Sequence, residues 1–259
     1  VTNLLNVKIQ YCSDLHLEFP ENELLLKQAP LEIAGDVLIL SGDIVPFRDL
    51  EKYSYFFDFL SDNYKSIYWV PGNHEYYGSD ASERKGAFNE QIRSNVFLVN
   101  NTVVKEGNVR LIFSTLWSHI HPENEYTVSM NLNDFKVIKF RNRRFTSSHF
   151  NFLHHISKTF LREALSKTHN GPTIVATHYV PTKLNYPSQY KNSPYNDAFV
   201  VELFDMITDL QPDYWIYGHH HSNIPEFKIG RTSLICNQLG YVTAGEHGDF
   251  NQCAALTID

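Results

Sequence analysis

Short apolar runs alternate with polar clusters along the chain, and their lengths predict its elements. Val7–Cys12 (VKIQYC), Val37–Leu40 (VLIL) and Ile67–Val70 (IYWV) are β-rich and bounded by turn residues, as buried strands are. Pro71-Gly72 stops the third. The run Leu50–Leu60 is apolar on one face and predicts a helix from about Phe47 to Asn63. Ala81–Arg93 is expected to be helical, with strands after it near Val96–Val99, Thr102–Lys105 and Val109–Ser114. Leu116–Ser148 shows no clear period. Phe150–Lys167 reads as a helix, with Phe152, Ile156, Phe160, Leu161 and Leu165 at core spacing and a stop at Asn170-Gly171. Thr173–Ala176, Tyr214–Tyr217, Glu226–Ile229 and Thr232–Cys236 are the late strands, with a helix around Asp197–Leu210 and a hairpin at Gly230. Strands alternating with helices argue for βαβ units and a largely parallel sheet. With no repeat, low-complexity segment or linker in view, residues 1–259 are read as one domain.

Composition narrows the class. At 259 residues, 42% hydrophobic and 20% charged, the chain has enough apolar surface for a sizeable core. A formal charge of −7 argues against general nucleic-acid coating, which needs a basic face. Cys12, Cys236 and Cys253 form no disulfide framework or CxxC pair, so a reducing, cytoplasmic compartment is expected. There is no apolar run of the roughly 18 residues that spanning a bilayer requires. Val1–Gln10 has neither a basic start nor an uninterrupted apolar stretch of the signal-peptide kind. The chain begins at Val1, which leaves open whether residues precede it.

Five polar clusters carry the chemistry: Asp14-Leu15-His16, Gly42-Asp43, Gly72-Asn73-His74-Glu75, Thr177-His178 and Gly218-His219-His220-His221. Each follows an apolar strand candidate, where functional loops of α/β sheets gather. Carboxylates, an amide and imidazoles suit borderline divalent metals such as Zn, Fe and Mn. In an extended segment Asp14 and His16 would point to one side, as would His219 and His221. Two metals held by two Asp carboxylates leave a site positive enough for a phosphate anion, and could clamp the oxygens of an in-line displacement. Taken singly, each cluster also reads as a turn or a satisfied core histidine; the metal reading rests on all five together. Three adjacent imidazoles after a buried strand have little structural use.

On these residues the chain resembles the calcineurin-like metallophosphoesterases, whose pattern D-x-H, GD, GNH(D/E), H, GHxH is present in full between residues 14 and 221. The resemblance implies a four-layer αββα sandwich with a dimetal centre at the strand ends. It implies that Asp14, His16, Asp43 and His221 hold one metal, and that Asn73, His178 and His219 hold the other, with Asp43 bridging. His74 would be the catalytic imidazole at the leaving oxygen, and a hydroxide between the metals the nucleophile. Pro46, where purple acid phosphatases carry a Tyr ligand, sets that branch aside. The protein-phosphatase motifs GDxHG and GDxVDRG are missing as well. The layout is similar to class III cyclic-nucleotide phosphodiesterases and to compact bacterial phosphoesterases. It implies a small phosphate-ester substrate, a nucleotide among the candidates, and a lean towards diesters or mixed mono- and diester activity. Two divalent ions, Mn, Fe or Zn, are the expected cofactors. The rivals are a non-catalytic scaffold on the same fold and a nuclease. The oligomeric state is not legible.

Outside the clusters the expectations are weaker. Lys136–Arg144 (KVIKFRNRR) reads as a solvated loop; the sharper reading has it receiving a second phosphate or a base stacked on Phe140 or Phe145. Trp117 and Tyr186–Tyr195 read equally as pocket wall or loop packing. His220 fills the variable position of GHxH and is read as a spacer. His119, His121, His149, His154, His155, His169 and His247 are read as surface residues, with His119 and His121 the first candidates for an exception.

Overall fold

A computed structural model describes residues 7–258. Val1–Asn6 and Asp259 lie outside the described residues, and with them most of the stretch read for targeting signals and both ends of the expected domain. In chain order the first half contains β1 (Val7–Cys12), α1 (Pro20–Gln28), β2 (Val37–Ser41), α2 (Ser54–Asn63), β3 (Ser66–Val70), β4 (Phe88–Arg93), β5 (Val96–Asn100), β6 (Thr102–Glu106) and β7 (Val109–Ser114). Two short helices and a hairpin follow: α3 (Glu125–Asn131), α4 (Asp134–Val137), β8 (Lys139–Phe140) and β9 (Arg143–Arg144). The rest comprises α5 (Ser147–Ser166), β10 (Thr173–Thr177), α6 (Phe204–Leu210), β11 (Tyr214–Tyr217), β12 (Phe227–Ile229), β13 (Thr232–Cys236) and β14 (Ala255–Ile258).

The strands build two sheets of matching design. One runs β14-β1-β2-β3-β5-β4 and the other β12-β13-β11-β10-β7-β6. In each, four parallel strands are closed at both edges by an antiparallel one. Alternation along the strands fixes how the sheets pack. Val37, Ile39 and Val70 of the first sheet share an apolar layer with Leu111, Phe113, Ile174, Ala176 and Ile216 of the second. The residues between them, Leu38, Leu40 and Trp69, and on the other side Ile112, Val175 and Trp215, join the helix-side core. Both faces of each sheet are therefore covered, as parallel strands require. The result is the αββα sandwich with all parallel strands pointing their ends at one rim.

Several elements depart from the sequence reading. Ala81–Arg93 is not a helix: Phe88–Arg93 is an antiparallel edge strand paired Phe88↔Asn100 through Arg93↔Val96. Its residues alternate in exposure, and Gly86 interrupts the run before it. The helix expected from Phe47 begins as a 3-10 turn at Phe47–Asp49 and becomes α-helical only at Ser54. That expected over Asp197–Leu210 is confined to Phe204–Leu210. α5 is rotated from the expected phase: it buries Phe150, Leu153, Ser157, Leu161 and Ala164, and leaves Phe152 45% exposed. Small Ser157 and Ala164 on the inner face let the helix lie close to its neighbours. His154 is buried with them, contrary to its surface reading. α1 and β14 were not anticipated, although Pro20 opening α1 with Glu21 and Glu23 behind it is a readable helix start.

Candidate metal centre

Each of five parallel strands delivers one polar cluster to the rim. Asp14 and His16 follow β1, Asp43 follows β2, Asn73 and His74 follow β3, His178 follows β10, and His219–His221 follow β11. Backbone hydrogen bonds lock these loops together: Asp14 N–H to Gly42 O at 2.9 Å, His16 N–H to Asp43 O at 2.9 Å, and Gly218 N–H to His178 O at 2.9 Å. The loops turn inward through left-handed backbone at Asp14 (φ 57°), His16 (49°), Asp43 (56°), His219 (82°) and His221 (51°). Non-glycine residues pay a steric penalty there, and such clusters of strain belong to functional sites. The pairs Asp14/His16 and His219/His221 thus reach the centre by left-handed turns, not by the extended alternation expected. Gly42 (φ 91°) is held to glycine twice over, because a Cβ there would stand 2.3 Å from His178 Nδ1.

The donor atoms converge in two groups that share Asp43, beside a third cluster of His16, Glu18 and His74. Asp14, His16, Asp43 and His221 form one, and Asp43, His178 and His219 the other, with ligand atoms inside each lying within 4.8 Å of one another. Asn73 Oδ1 joins the second group, 3.2 Å from His178 Nε2. Asp43 Oδ1 accepts the His74 N–H at 2.9 Å, while Oδ2 lies 3.7 Å from His16 Nε2 and 3.4 Å from His178 Nε2. Oδ2 is therefore the oxygen common to both groups.

Every histidine of the set has its outer nitrogen tied to an oxygen acceptor. His16 Nδ1 donates to Glu18 Oε1 at 3.1 Å and His221 Nδ1 to Glu246 Oε2 at 2.7 Å. His178 Nδ1 donates to Ser41 O at 2.9 Å, and His219 Nε2 to Ala198 O at 3.1 Å. With the proton on the outer nitrogen, the inner one presents a lone pair. The inner nitrogens meet pairwise, His16 Nε2 to His221 Nε2 and His178 Nε2 to His219 Nδ1, each at 3.0 Å. Four lone pairs aimed at two carboxylates form a donor set that fits divalent transition metals.

The electrostatics point the same way. Burial alone would raise the Asp43 pKa, but His178 and His74 hold it well below the carboxylate range. Burial would depress His178 and His221; Asp43 outweighs it for the first and Asp14 for the second, lifting them to about 9 and about 10. The carboxylates that favour a proton on these two imidazoles would favour a metal cation in its place, while burial pushes His16 and His219 down and keeps their rings neutral.

Around the centre stand residues to which the sequence reading gave no role, Glu75 among them although it closes the polar cluster Gly72-Asn73-His74-Glu75. Glu75 accepts N–H groups from Asp43 (2.9 Å), Ile44 (2.7 Å) and Gly72 (2.6 Å) and the Trp69 indole (3.0 Å), so it fastens two ligand loops to each other. Asp134 Oδ1 accepts the Asn73 amide at 3.0 Å and the Tyr77 hydroxyl at 2.7 Å, which turns Asn73 Oδ1 inward. Glu18 Oε1 serves His16 and, at 2.8 Å, His74 Nδ1. Glu18 continues the alternation of D-x-H by one step, a signal that could have been followed. Asp134 sits in the aperiodic middle and Glu246 far down the tail, where no local pattern marks them.

His74 stands outside both donor groups. Its ring stacks on Tyr77 with centroids 4.1 Å apart, and its Nε2 lies 3.4 Å from the Tyr241 hydroxyl. Burial would lower its pKa, but Asp43 and Glu18 raise it. It borders a cavity of about 400 Å³ that also meets Asp43, Asn73, His219 and the stretch Tyr186–Asn196. His220 lines this cavity too. Trp117 does not; it is buried in the core. Phe140 and Phe145 are buried as well, so neither offers a face to a base, and the basic side chains beside them line a separate shallow cleft.

Comparison with known proteins gives a consistent picture. A family model described as calcineurin-like phosphoesterase matches residues 7–223. An uncharacterized protein of Acanthamoeba polyphaga mimivirus is 32% identical over 280 residues, covering 97% of this chain and 96% of that one. The phosphopantetheinyl hydrolase of Mycobacterium tuberculosis superposes with a TM-score of 0.68 at 15% identity, covering 97% and 95% of the two chains. A dimetal phosphatase from Danio rerio gives 0.50 at 13% identity over 90% and 87%. At such identities these structures share the fold. Gln238, Tyr241 and Glu246 lie beyond the span that the family model matches.

Proposed function

The chain belongs to the calcineurin-like phosphoesterase family, and from that premise we propose that it is a dinuclear metal-dependent hydrolase of small phosphate esters, leaning to diesters or mixed activity. The observation that carries this reading is the set of four imidazoles whose outer nitrogens are all spoken for and whose inner nitrogens meet at Asp14 and Asp43. Asp14, His16, Asp43 and His221 would hold one ion, and Asp43, Asn73, His178 and His219 the other. Manganese, iron and zinc all suit these donors, and manganese is the first to try. Two such ions, when bound, supply an activated water and neutralise charge on the phosphoryl oxygens.

The chain's own residues do the rest. Glu18 fixes the proton on His74 Nδ1 and supports positive charge on the ring, so His74 Nε2 can carry a proton to the leaving oxygen. Asp134 orients Asn73, and Glu75 holds the Asp43 and Asn73 loops at a constant spacing. Among the described residues no Lys or Arg lines the cavity, so only the ions and His74 would meet the second charge of a monoester; this supports the lean to diesters. Ligands drawn from the loops of both sheets support reading residues 1–259 as one domain. The unpaired Cys12, Cys236 and Cys253 support a reducing, cytoplasmic compartment.

The test is elemental analysis of purified protein together with hydrolysis of bis-p-nitrophenyl phosphate and p-nitrophenyl phosphate in manganese-supplemented buffer. About two ions per chain and faster diester turnover are expected. A strong monoester preference would reverse the lean. A protein that neither binds metal nor hydrolyses either ester would be a scaffold, and digestion of single-stranded DNA would mark a nuclease.

A further inference from the structure

The cavity beside the metal centre has an unusual lining for a site that receives phosphate. Its walls include Tyr77, Tyr186, Tyr190, Tyr195 and Tyr241 and, among the described residues, no Lys or Arg. Its acids are committed: Asp134 to Tyr77 and Asn73, and Glu246 to His221 and the Tyr241 N–H. Among the described residues a second phosphate or a carboxylate on the substrate would find no Lys or Arg here; positive charge at the cavity is confined to His74 and the candidate metal centre, where the reacting phosphate would sit, and burying an unpaired charge is costly. An aromatic wall favours a flat, uncharged group instead.

His220 adds a directed polar contact. Its Nδ1 is approached by two donors, the Ser222 N–H at 3.2 Å and the Gln238 side-chain amide at 3.0 Å. The orientation of that amide is fixed, because Gln238 Oε1 accepts the His221 N–H at 2.8 Å and Nε2 donates to Ser222 O at 3.1 Å. Nδ1 must therefore accept, the ring is neutral, and the proton sits on Nε2. That N–H has no protein partner among the described residues, and its ring lies 5.7 Å from the Tyr186 ring on the cavity wall. The histidine that fills the variable position of GHxH is thus a neutral ring with an uncommitted donor, packed between Tyr217, edge-on at 5.7 Å, and Tyr186 on the cavity wall.

We propose that this cavity is a specificity site for an uncharged planar group on the substrate, walled by Tyr186 and Tyr190 and read through an acceptor atom by His220 Nε2–H. The proposal rests on the phosphoesterase reading for the position of the phosphate. Three unhydrolysable probes test it by titration calorimetry with manganese-supplemented protein: methylphosphonate, benzylphosphonate and 4-nitrobenzylphosphonate. The two aromatic probes bind at least about tenfold tighter than methylphosphonate. Tyr190→Ala, in a half-buried position away from the ligands, lowers both aromatic preferences about fivefold. His220→Phe keeps the ring and removes the donor, so it weakens the nitrobenzyl probe about fivefold relative to the benzyl one.

Equal affinity for all three probes, or ratios that neither variant moves, overturns the specificity site alone. Failure of every phosphonate to bind, with no turnover of either nitrophenyl ester, overturns the phosphoesterase reading itself. Metal content is measured on each variant; if His220→Phe loses metal, Tyr190→Ala decides.

Discussion

Asp43 is the side chain on which both proposed metal positions depend, since its Oδ2 belongs to each donor group. Asp43→Ala is expected to reduce metal content by elemental analysis and to lower kcat by about a thousandfold or more; wild-type turnover in metal-replete buffer would refute the assignment. His74→Asn separates chemistry from binding: kcat should fall about a hundredfold while metal content stays near wild type. Glu18 holds two imidazoles with one oxygen, so Glu18→Gln should cost about tenfold or more in kcat and weaken metal retention. The residues proposed as ligands were legible in the sequence because each follows a strand directly and its neighbours tolerate tight turns. Their supports were not. Glu75, Asp134 and Glu246 act across 31, 61 and 25 residues of chain, and no local period reports such contacts.

Strands in the parallel cores were readable because burial on both faces leaves continuous apolar runs such as VLIL and IYWV. The edges were harder. Phe88–Arg93 carries mixed polar residues, and only its pairing with β5 decides between strand and helix. α5 shows how a helix phase is set by what it packs on: burial of His154 under Trp117 was invisible to a pattern that followed large apolar residues. His154 offers a pH test. Burial pushes its pKa down to about 4, with the Trp117 carbonyl only partly opposing. The unfolded chain, with an ordinary imidazole near 6.5, binds the proton first, so stability is lost as pH falls from about 6.5 to 4. The expected contribution of His154 is about 3 kcal/mol, read by urea unfolding, and His154→Leu should flatten that segment of the pH profile by this share, with His220, also pushed down to about 4, still contributing. At the same helix, Thr146 caps the His149 N–H and His149 caps Thr146 in return. Thr146→Ala should cost about 1 kcal/mol without altering turnover of p-nitrophenyl phosphate.

At the scale of the whole molecule an occupied centre would also be a fastening. Asp14, His16, Asp43 and Asn73 hang from the first sheet, whereas His178, His219 and His221 hang from the second. The sheets already touch there, for both Asp14 carboxylate oxygens accept the His219 N–H at 3.1 Å. An ion bound by both sets cannot be kept if the sheets separate, so binding couples to global unfolding. At a free metal concentration a hundred times Kd, one site adds about 2.7 kcal/mol, which for a chain of this size raises Tm by roughly 5–10 °C. Calorimetry with and without manganese after chelator dialysis should show that increment. Asp43→Ala should lose most of it, because the shared oxygen is gone. A Tm that ignores the metal in wild type would mean that the two sets of ligands do not close on a common ion, however well their nitrogens are aimed.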